Sequence, residues 1–157
     1  MKIMTAYGVG IKHYNHILKD SVRIYRDAVD FLIEVCLKEW DSISVINGLQ
    51  SRCIYVESLV HKTKKRPSVP YSFDHEFYKF PSYLLRSAIC CALGKVSSYL
   101  SNLENWKNAD VKCRGQQPGY PKAGFVFPCL YRGNMYLQTG DYGFLHSEYL
   151  GLDSCSG

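Results

Sequence analysis

The feature that most constrains the fold is an apolar stripe near the N-terminus that repeats at intervals of four and three residues. Its members are Leu18, Val22, Tyr25, Val29, Leu32, Cys36 and Trp40. This spacing places them on one face of a helix over about residues 15–40. The charged positions of the opposite face are Lys19, Arg23, Arg26, Asp30 and Lys38. The pattern therefore predicts an amphipathic helix with one packed side and one solvated side.

Two more helices are predicted downstream. The first covers about residues 48–61, and its apolar positions in register are Leu49, Cys53, Val56 and Val60. The second begins near Pro81, because proline suits the first helical turn, and it continues to about Trp106. Gly94 lies inside this helix, where glycine costs about 1 kcal/mol relative to alanine. Such a glycine indicates close packing at that position.

Short strands are predicted on both sides of the helical region. Residues 7–11 alternate large apolar side chains with glycine, which is typical of a strand with one packed face. Residues 125–127 and 135–137 are predicted as strands across a tight turn at 132–134. A strand, a helical region and returning strands together give an α+β fold class.

Positive charge is concentrated in most of the chain. The formal net charge is +5, but residues 141–157 carry three acidic side chains and no Lys or Arg. Residues 1–140 therefore hold all 19 Lys and Arg against 11 Asp and Glu, a net charge of +8. Such a charge favours binding to polyanions, because each neutralised phosphate releases counterions. A basic surface without a specific partner explains the same charge.

Cations and aromatic side chains also alternate in several blocks that suit nucleic acid. The candidate phosphate contacts are Lys62, Lys64, Lys65, Arg66, Lys79, Arg86, Lys95, Lys122 and Arg132. Tyr83 and Tyr131 are candidates for stacking on bases. Cations hold phosphates, and aromatic rings stack bases without a sequence preference. The alternative is that Phe77, Phe80 and Leu84 belong to the core while the cations are solvated.

No pattern in the sequence points to catalysis, to a metal or to a cofactor. The seven cysteines lack the spacing of a zinc knuckle, and we expect them to be reduced and mostly buried. His13 and His16 have no third ligand nearby. Asp74, His75 and Glu76 are explained by capping and by the helix dipole. With no membrane-length apolar run and no signal peptide, we expect a cytoplasmic protein.

Five ordered blocks carry a resemblance to a known family. They are residues 55–63, 80–84, 94–99, 101–106 and 121–125. Over about residues 25–142 the chain resembles the N-terminal half of OrfB/TnpB-type proteins, transposon-encoded relatives of RNA-guided DNA nucleases. The resemblance implies a helical recognition insert flanked by strands of a small, incomplete β-barrel. Insert and barrel together hold a guide RNA and its target heteroduplex in that family.

The resemblance also implies a division of the chain. A first barrel strand is expected in residues 1–13, the recognition insert in 14–110, a linker in 111–122 and returning barrel strands in 123–145. Residues 146–157 are expected to be an irregular tail. Codons compatible with residues 146–154 read IRNTWDWI when shifted by one base. Relatives continue with a segment that resembles those letters, so we expect a truncated, frameshifted reading frame.

The predicted function is that of a TnpB-like, transposase-family fragment that binds guide RNA or DNA. The family's nuclease domain, with its three metal-binding carboxylates and its zinc element, has no counterpart in this sequence, so we expect no enzymatic activity. The partners expected are RNA or DNA, without a membrane and without a cofactor. The alternatives are a helical protein-interaction module, an inert truncated pseudogene product, or a DNA-binding regulator derived from the transposon protein.

Overall fold

Three long helices form the scaffold of the protein, in a computed structural model that describes residues 16–128, 136–139 and 142–145. The helices are α1 (His16–Lys38), α2 (Trp40–Ser44), α3 (Leu49–Val60), α4 (Phe73–Glu76) and α5 (Ser82–Asn108). The strands are β1 (Tyr136–Thr139) and β2 (Tyr142–Leu145). Both α1 and α3 pack against α5, and α2 contacts α1 and α3.

The apolar stripe predicted from the sequence forms the α1 side of the core. Its fully buried members are Tyr25, Val29, Leu32 and Cys36. The buried positions of α5 that recur at helical spacing are Leu85, Ile89, Ala92 and Val96. Full burial of one such aliphatic side chain contributes about 1.5–3 kcal/mol, so both packed stripes stabilise the scaffold. The apolar stripes of α1 and α5 therefore pack against each other within the same chain.

The predicted helix boundaries agree with the structure to within about two residues. The first helix stops at Lys38, because Glu39 leaves helical geometry at φ −100° and ψ 11° before α2 begins. The predicted helices at 48–61 and 81–106 correspond to α3 and α5. Pro81 lies just before α5 at φ −62° and ψ 133°, and its carbonyl accepts a hydrogen bond from the Leu85 amide at 2.9 Å.

Gly94 lacks the close packing that its place inside a helix predicts. The residue is exposed, and a Cβ added there would meet no heavy atom within 4 Å. The expectation of a tight helix contact is therefore wrong. Gly94 faces open space on the outer side of α5.

The predicted α+β fold with a β-barrel is wrong for the described residues, whose regular secondary structure is helical apart from one short hairpin. Residues 125–127 form no strand. The predicted strand at 135–137 overlaps β1, but β1 pairs antiparallel with β2, from Tyr136–Leu145 to Thr139–Tyr142. Two paired strands cannot close a barrel. The predicted strand at 7–11, the turn at 132–134 and the tail at 146–157 lie outside the described residues.

Candidate nucleic-acid interface

An open groove runs between α5 and the segment that follows it, with a volume of about 670 Å³. Among the described residues that line it, two are lysines, Lys95 on α5 and Lys122 on the following segment, and none is an Asp or Glu. The sequence predicts both lysines as phosphate contacts. The fold brings these two cations, distant in sequence, to the same groove.

Glycines and small polar side chains keep this groove open. Gly94 and Gly119 both line it, and a Cβ at either position would meet nothing within 4 Å. Ser98 and Asn102 add hydroxyl and amide groups to the lining. A polyanionic backbone is usually held by this combination of cations, neutral donors and accessible main chain.

The far wall of the groove belongs to residues 118–127, which we call the strap. The strap contains no helix or strand. Side chains one turn apart on α1 hold it at three points. Tyr120 Oη donates to Glu34 Oε1 at 3.1 Å, the Ala123 amide donates to Asp30 Oδ1 at 2.6 Å, and Arg26 Nε donates to the Val126 carbonyl at 3.0 Å.

The strap changes the role of the charged face of α1. The sequence predicts Arg26 and Asp30 as solvated side chains, but both are committed to the strap backbone. The Arg26 guanidinium also lies 4.9 Å from the centre of the Phe127 ring, within the range of a cation–π contact. Burial and the hydrogen bond to Glu34 raise the pKa of Tyr120 above its usual value. Tyr120 therefore stays protonated and acts as the hydrogen-bond donor to Glu34.

Tyr99 and Tyr120 form an aromatic pair at one end of the groove. Their ring centres are 6.1 Å apart and the ring planes meet at 57°. Tyr99 lines the groove, and Tyr120 is 53% exposed although its hydroxyl is bonded to Glu34. Partly exposed rings of this kind offer faces on which a base can stack.

A second group of predicted cations lies on the loop after α3. The amide of Thr63 donates to the Arg66 carbonyl and the amide of Arg66 donates to the Thr63 carbonyl, each at 2.9 Å. These two bonds close a tight turn with Lys64 and Lys65 at its tip, both exposed, and Lys62 beside them is exposed as well. We call Lys62, Lys64 and Lys65 the basic turn.

Two side chains hold the base of the basic turn. Arg66 donates through its guanidinium to the His61 carbonyl at 3.1 Å, so this predicted phosphate contact has a partner within the protein. Asp74 Oδ2 accepts from the Lys62 amide at 2.7 Å, while Asp74 Oδ1 lies 2.9 Å from His61 Nδ1. Asp74 therefore orders the loop after α3. This role differs from the capping that the sequence predicts, because α4 has no side-chain cap hydrogen bond.

The aromatic residues between α4 and α5 divide into a core set and an exposed set. Phe77 and Phe80 pack edge-on against each other at 6.0 Å and both contact Phe73, which is fully buried. Tyr78 and Tyr83 remain exposed, the latter at 47%. The phenylalanines of this block are therefore structural, and only its tyrosines can meet a ligand.

The two cations of the same block, Lys79 and Arg86, lie beside different side chains. Lys79 is exposed and its Nζ lies 5.5 Å from the centre of the Tyr78 ring. Arg86 is exposed too, but its Nε lies 3.5 Å from Glu57 Oε2. An exposed pair of this kind contributes about 0–1 kcal/mol, so a phosphate can displace Glu57 at little cost. Tyr83 and Arg86 are neighbours one turn apart on α5.

The predicted site residues therefore form three separate groups. Lys95 and Lys122 share the groove, Lys62, Lys64 and Lys65 share the basic turn, and Tyr83 lies beside Arg86 on α5. Arg66 is bonded to the His61 carbonyl, and Lys79 lies on the segment between α4 and α5. Tyr131 and Arg132 fall outside the described residues. The sequence prediction left out Ser98 and Tyr99, although they follow Lys95 at helical spacing. It also missed the strap, whose contacts join residues too distant in sequence to be read from a local pattern.

Comparison with known proteins places the chain in the Aq_aa04 family, whose profile matches residues 5–145. The chain is 46% identical over 46 residues to a protein of Aquifex aeolicus (strain VF5) named "Uncharacterized protein aq_aa04". That alignment covers 29% of this chain and 26% of the relative, so the chain spans about a quarter of the relative's length. No solved structure matches the chain. Neither description links the chain to OrfB/TnpB-type proteins, so that resemblance stays a prediction.

Two further observations concern the described part of the chain. Within it, no helix has both the length and the apolar character needed to cross a bilayer. Among the same residues, no three or more His, Cys, Asp or Glu side chains are grouped so that they could hold a metal ion. His13 lies outside the described residues.

Proposed function

We propose that this chain is a nucleic-acid-binding module that uses the groove as its main contact surface and the basic turn as a second one. The observation that carries the proposal is the meeting of Lys95 and Lys122 in a groove where none of the described lining residues is a carboxylate. A phosphate entering there gains two cations. The net charge of +5 also supports nucleic acid as the partner, because a positively charged protein attracts a polyanion.

Within this proposal the chain acts in the cytoplasm as a TnpB-like N-terminal portion that holds RNA and has no nuclease activity of its own. The resemblance of the five sequence blocks supports RNA as the preferred strand. The expected binding is independent of base sequence, because the groove offers charges and main chain to a phosphate backbone. Tyr99 and Tyr120 at the end of the groove supply ring faces for one or two bases.

The alternative of a helical interaction module is less well supported by the fold. Such a module would bind its partner through the apolar stripes of the first and third predicted helices. These stripes are buried against each other within the chain. A partner protein would have to use other surfaces. The regulator alternative differs from the proposal in requiring DNA as the ligand and a guide or a sequence preference for it.

The experiment that tests the proposal is a binding titration over a salt series. Labelled single-stranded RNA, single-stranded DNA and duplex DNA of equal length are titrated with the full chain, and binding is followed by fluorescence anisotropy. We expect affinity to fall steeply with salt and to be highest for RNA. An affinity that does not change with salt would contradict a phosphate-binding mechanism.

Two double variants with the same change in net charge separate the groove from general surface charge. Lys95→Gln/Lys122→Gln removes both groove cations, while the control Lys38→Gln/Lys112→Gln removes two exposed lysines elsewhere. Each phosphate contact on a single strand contributes about 0.7 to the slope of log K against log salt. The groove variant should therefore lose about 1.4 from that slope, and the control should keep it. Equal losses in both variants would rule out the groove as the binding surface.

A further inference from the structure

Two cysteines from different helices face each other on the surface of the scaffold. Cys53 on α3 and Cys90 on α5 have their Sγ atoms 3.2 Å apart. Both are free thiols; Cys90 is exposed and Cys53 is half-buried. A disulfide bond has a length of about 2.05 Å, so a sulfur–sulfur bond needs the two atoms to approach by only about 1.2 Å.

An ion pair lies beside the thiol pair. One turn away on each helix, Arg86 Nε lies 3.5 Å from Glu57 Oε2. The ion pair and the thiol pair are thus two successive side-chain contacts between α3 and α5. Because α3 and α5 also pack through buried side chains, the sulfur atoms are kept close without a covalent bond.

We propose that Cys53 and Cys90 are a reversible redox pair that forms a disulfide by exchange with a low-molecular-weight disulfide. In the first step the exposed Cys90 thiolate attacks one sulfur of the small disulfide, and one small thiolate leaves. In the second step the Cys53 thiolate attacks Cys90 Sγ, the mixed disulfide breaks, and the second small thiolate leaves. The two departing thiolates take up the two protons lost by the cysteines, so the small disulfide is reduced as the protein is oxidised.

The order of the two steps follows from the environment of each thiol. Burial, with a contribution from the hydrogen bond to Cys90, raises the pKa of Cys53 to about 12. Cys53 is therefore a poor first nucleophile at neutral pH, whereas Cys90 is accessible to a reagent in solution. The closing step depends on deprotonation of Cys53, so disulfide formation should become faster as the pH rises toward that pKa.

Three other cysteines lie in the described part of the chain, and each has a feature that sets it apart from this pair. Cys36 on α1 is fully buried, and burial raises the pKa of its thiol to about 12. Cys91 follows Cys90 directly but points in a different direction from the helix. Cys113 is exposed in the turn after α5, where it can form a mixed disulfide with a small thiol. The proposal therefore predicts one specific internal bond among several free thiols.

The test uses the full chain, reduced and then freed of reductant, and oxidised glutathione as the probe. After incubation the remaining thiols are alkylated, and tryptic peptides are identified by mass spectrometry. We expect residues 53–62 joined to residues 87–95, with fragment ions that place the bond at Cys90. A bond between Cys53 and Cys36, or glutathione retained on Cys90 as the end product, would overturn the proposal.

Single cysteine-to-serine variants identify the bonded residues without relying on the assignment of tryptic peptides. Cys90→Ser should abolish the internal bond, while the neighbouring control Cys91→Ser should leave it unchanged. Cys53→Ser should trap the intermediate, so that the mixed disulfide accumulates on Cys90. Oxidation in denaturant should remove the selectivity, since the folded helices align the pair. If Cys91→Ser abolishes the bond and Cys90→Ser does not, the assignment is wrong. No step requires nucleic acid, so failure of the binding proposal would leave this result unaffected.

Discussion

Replacing Gly94 with alanine tests whether the open side of α5 is as empty as the structure shows. Gly94 lies in the interior of a 27-residue helix and is exposed. The Cβ of an alanine there would meet no heavy atom within 4 Å. The substitution therefore adds helix propensity without adding a steric conflict.

The expected gain comes from helix propensity alone. Glycine is about 0.8–1.0 kcal/mol less favourable than alanine in a helix interior. Gly94→Ala should thus raise the free energy of unfolding by about 1 kcal/mol. For a chain of this size the corresponding rise in melting temperature is about 2–4 °C.

Gly48→Ala is a matched control with the opposite expected sign. A Cβ at Gly48 would also meet nothing within 4 Å, but Gly48 has a φ of +86°. Alanine would have to adopt that conformation at a cost of about 1–3 kcal/mol. Comparing the two variants therefore separates backbone strain from steric contact.

Urea unfolding followed by circular dichroism measures both changes. The midpoint should rise in Gly94→Ala and fall in Gly48→Ala, with the slope of the free energy against urea unchanged in both. A loss of stability in Gly94→Ala would contradict the open space around Gly94, because it would require a neighbouring atom within contact distance of the added methyl group. The added methyl also narrows the groove, so binding of single-stranded RNA should weaken in a protein that has become more stable.

Two further substitutions test other parts of the scaffold. Asp30→Ala leaves the buried Ala123 amide without an acceptor and should lower the free energy of unfolding by about 1–3 kcal/mol. Hydrogen exchange of that amide should also become faster. The control Asp27→Ala replaces an exposed aspartate on the same helix and should change neither the stability nor the exchange rate. The hydrogen bond to Glu39, together with burial, raises the pKa of Tyr71 to about 12. Because the folded-state pKa exceeds the unfolded value, stability is fully present below about pH 10 and falls as the pH rises toward 12. Tyr71→Phe should make that alkaline loss shallower in urea unfolding measured from pH 9 to 12, and an unchanged pH dependence would contradict this assignment.

The helices could be predicted from the sequence because their information is local. The spacing of Tyr25, Val29, Leu32 and Cys36 is a property of a short stretch, and burial on one face of α1 follows from it directly. The same holds for α5, where proline marks the start and apolar residues recur through several turns. The expectation for Gly94 conflicts with this same spacing, because the stripe of Leu85, Ile89, Ala92 and Val96 places position 94 on the opposite side of α5.

The strand at residues 125–127 was predicted from an apolar pattern that has another explanation. Phe125 is 93% exposed and Phe127 61% exposed, while Val126 packs against the core. The alternation is real, but α1 side chains rather than a neighbouring strand hold this part of the backbone. Arg26 donates to the Val126 carbonyl, a contact between residues 100 positions apart. A local reading of apolar periodicity cannot distinguish these two kinds of partner.

The candidate site could be predicted in its residue types but not in its grouping. The sequence identifies Lys95 and Lys122 as cations, and only the fold brings both to the groove. Arg66 looked equivalent to its lysine neighbours, yet its guanidinium is bonded to the His61 carbonyl. Arginine forms several directional hydrogen bonds to carbonyl groups, whereas lysine presents a flexible point charge. This difference helps to explain why Arg66 is tied to the scaffold while the basic turn stays free.

The strap also has a consequence for the order in which the chain folds. Its contacts with α1 join residues 86, 93 and 100 positions apart. Once α1 and α5 have packed, only about ten residues separate the end of α5 from Tyr120. The entropic cost of closing that loop is then lower by about 2 kcal/mol than closure from an unfolded chain. We therefore expect the helices to assemble first and the strap to dock last. By the same reasoning, the strap is the first part of the scaffold to detach, so the groove wall forms and opens while the helical core remains intact.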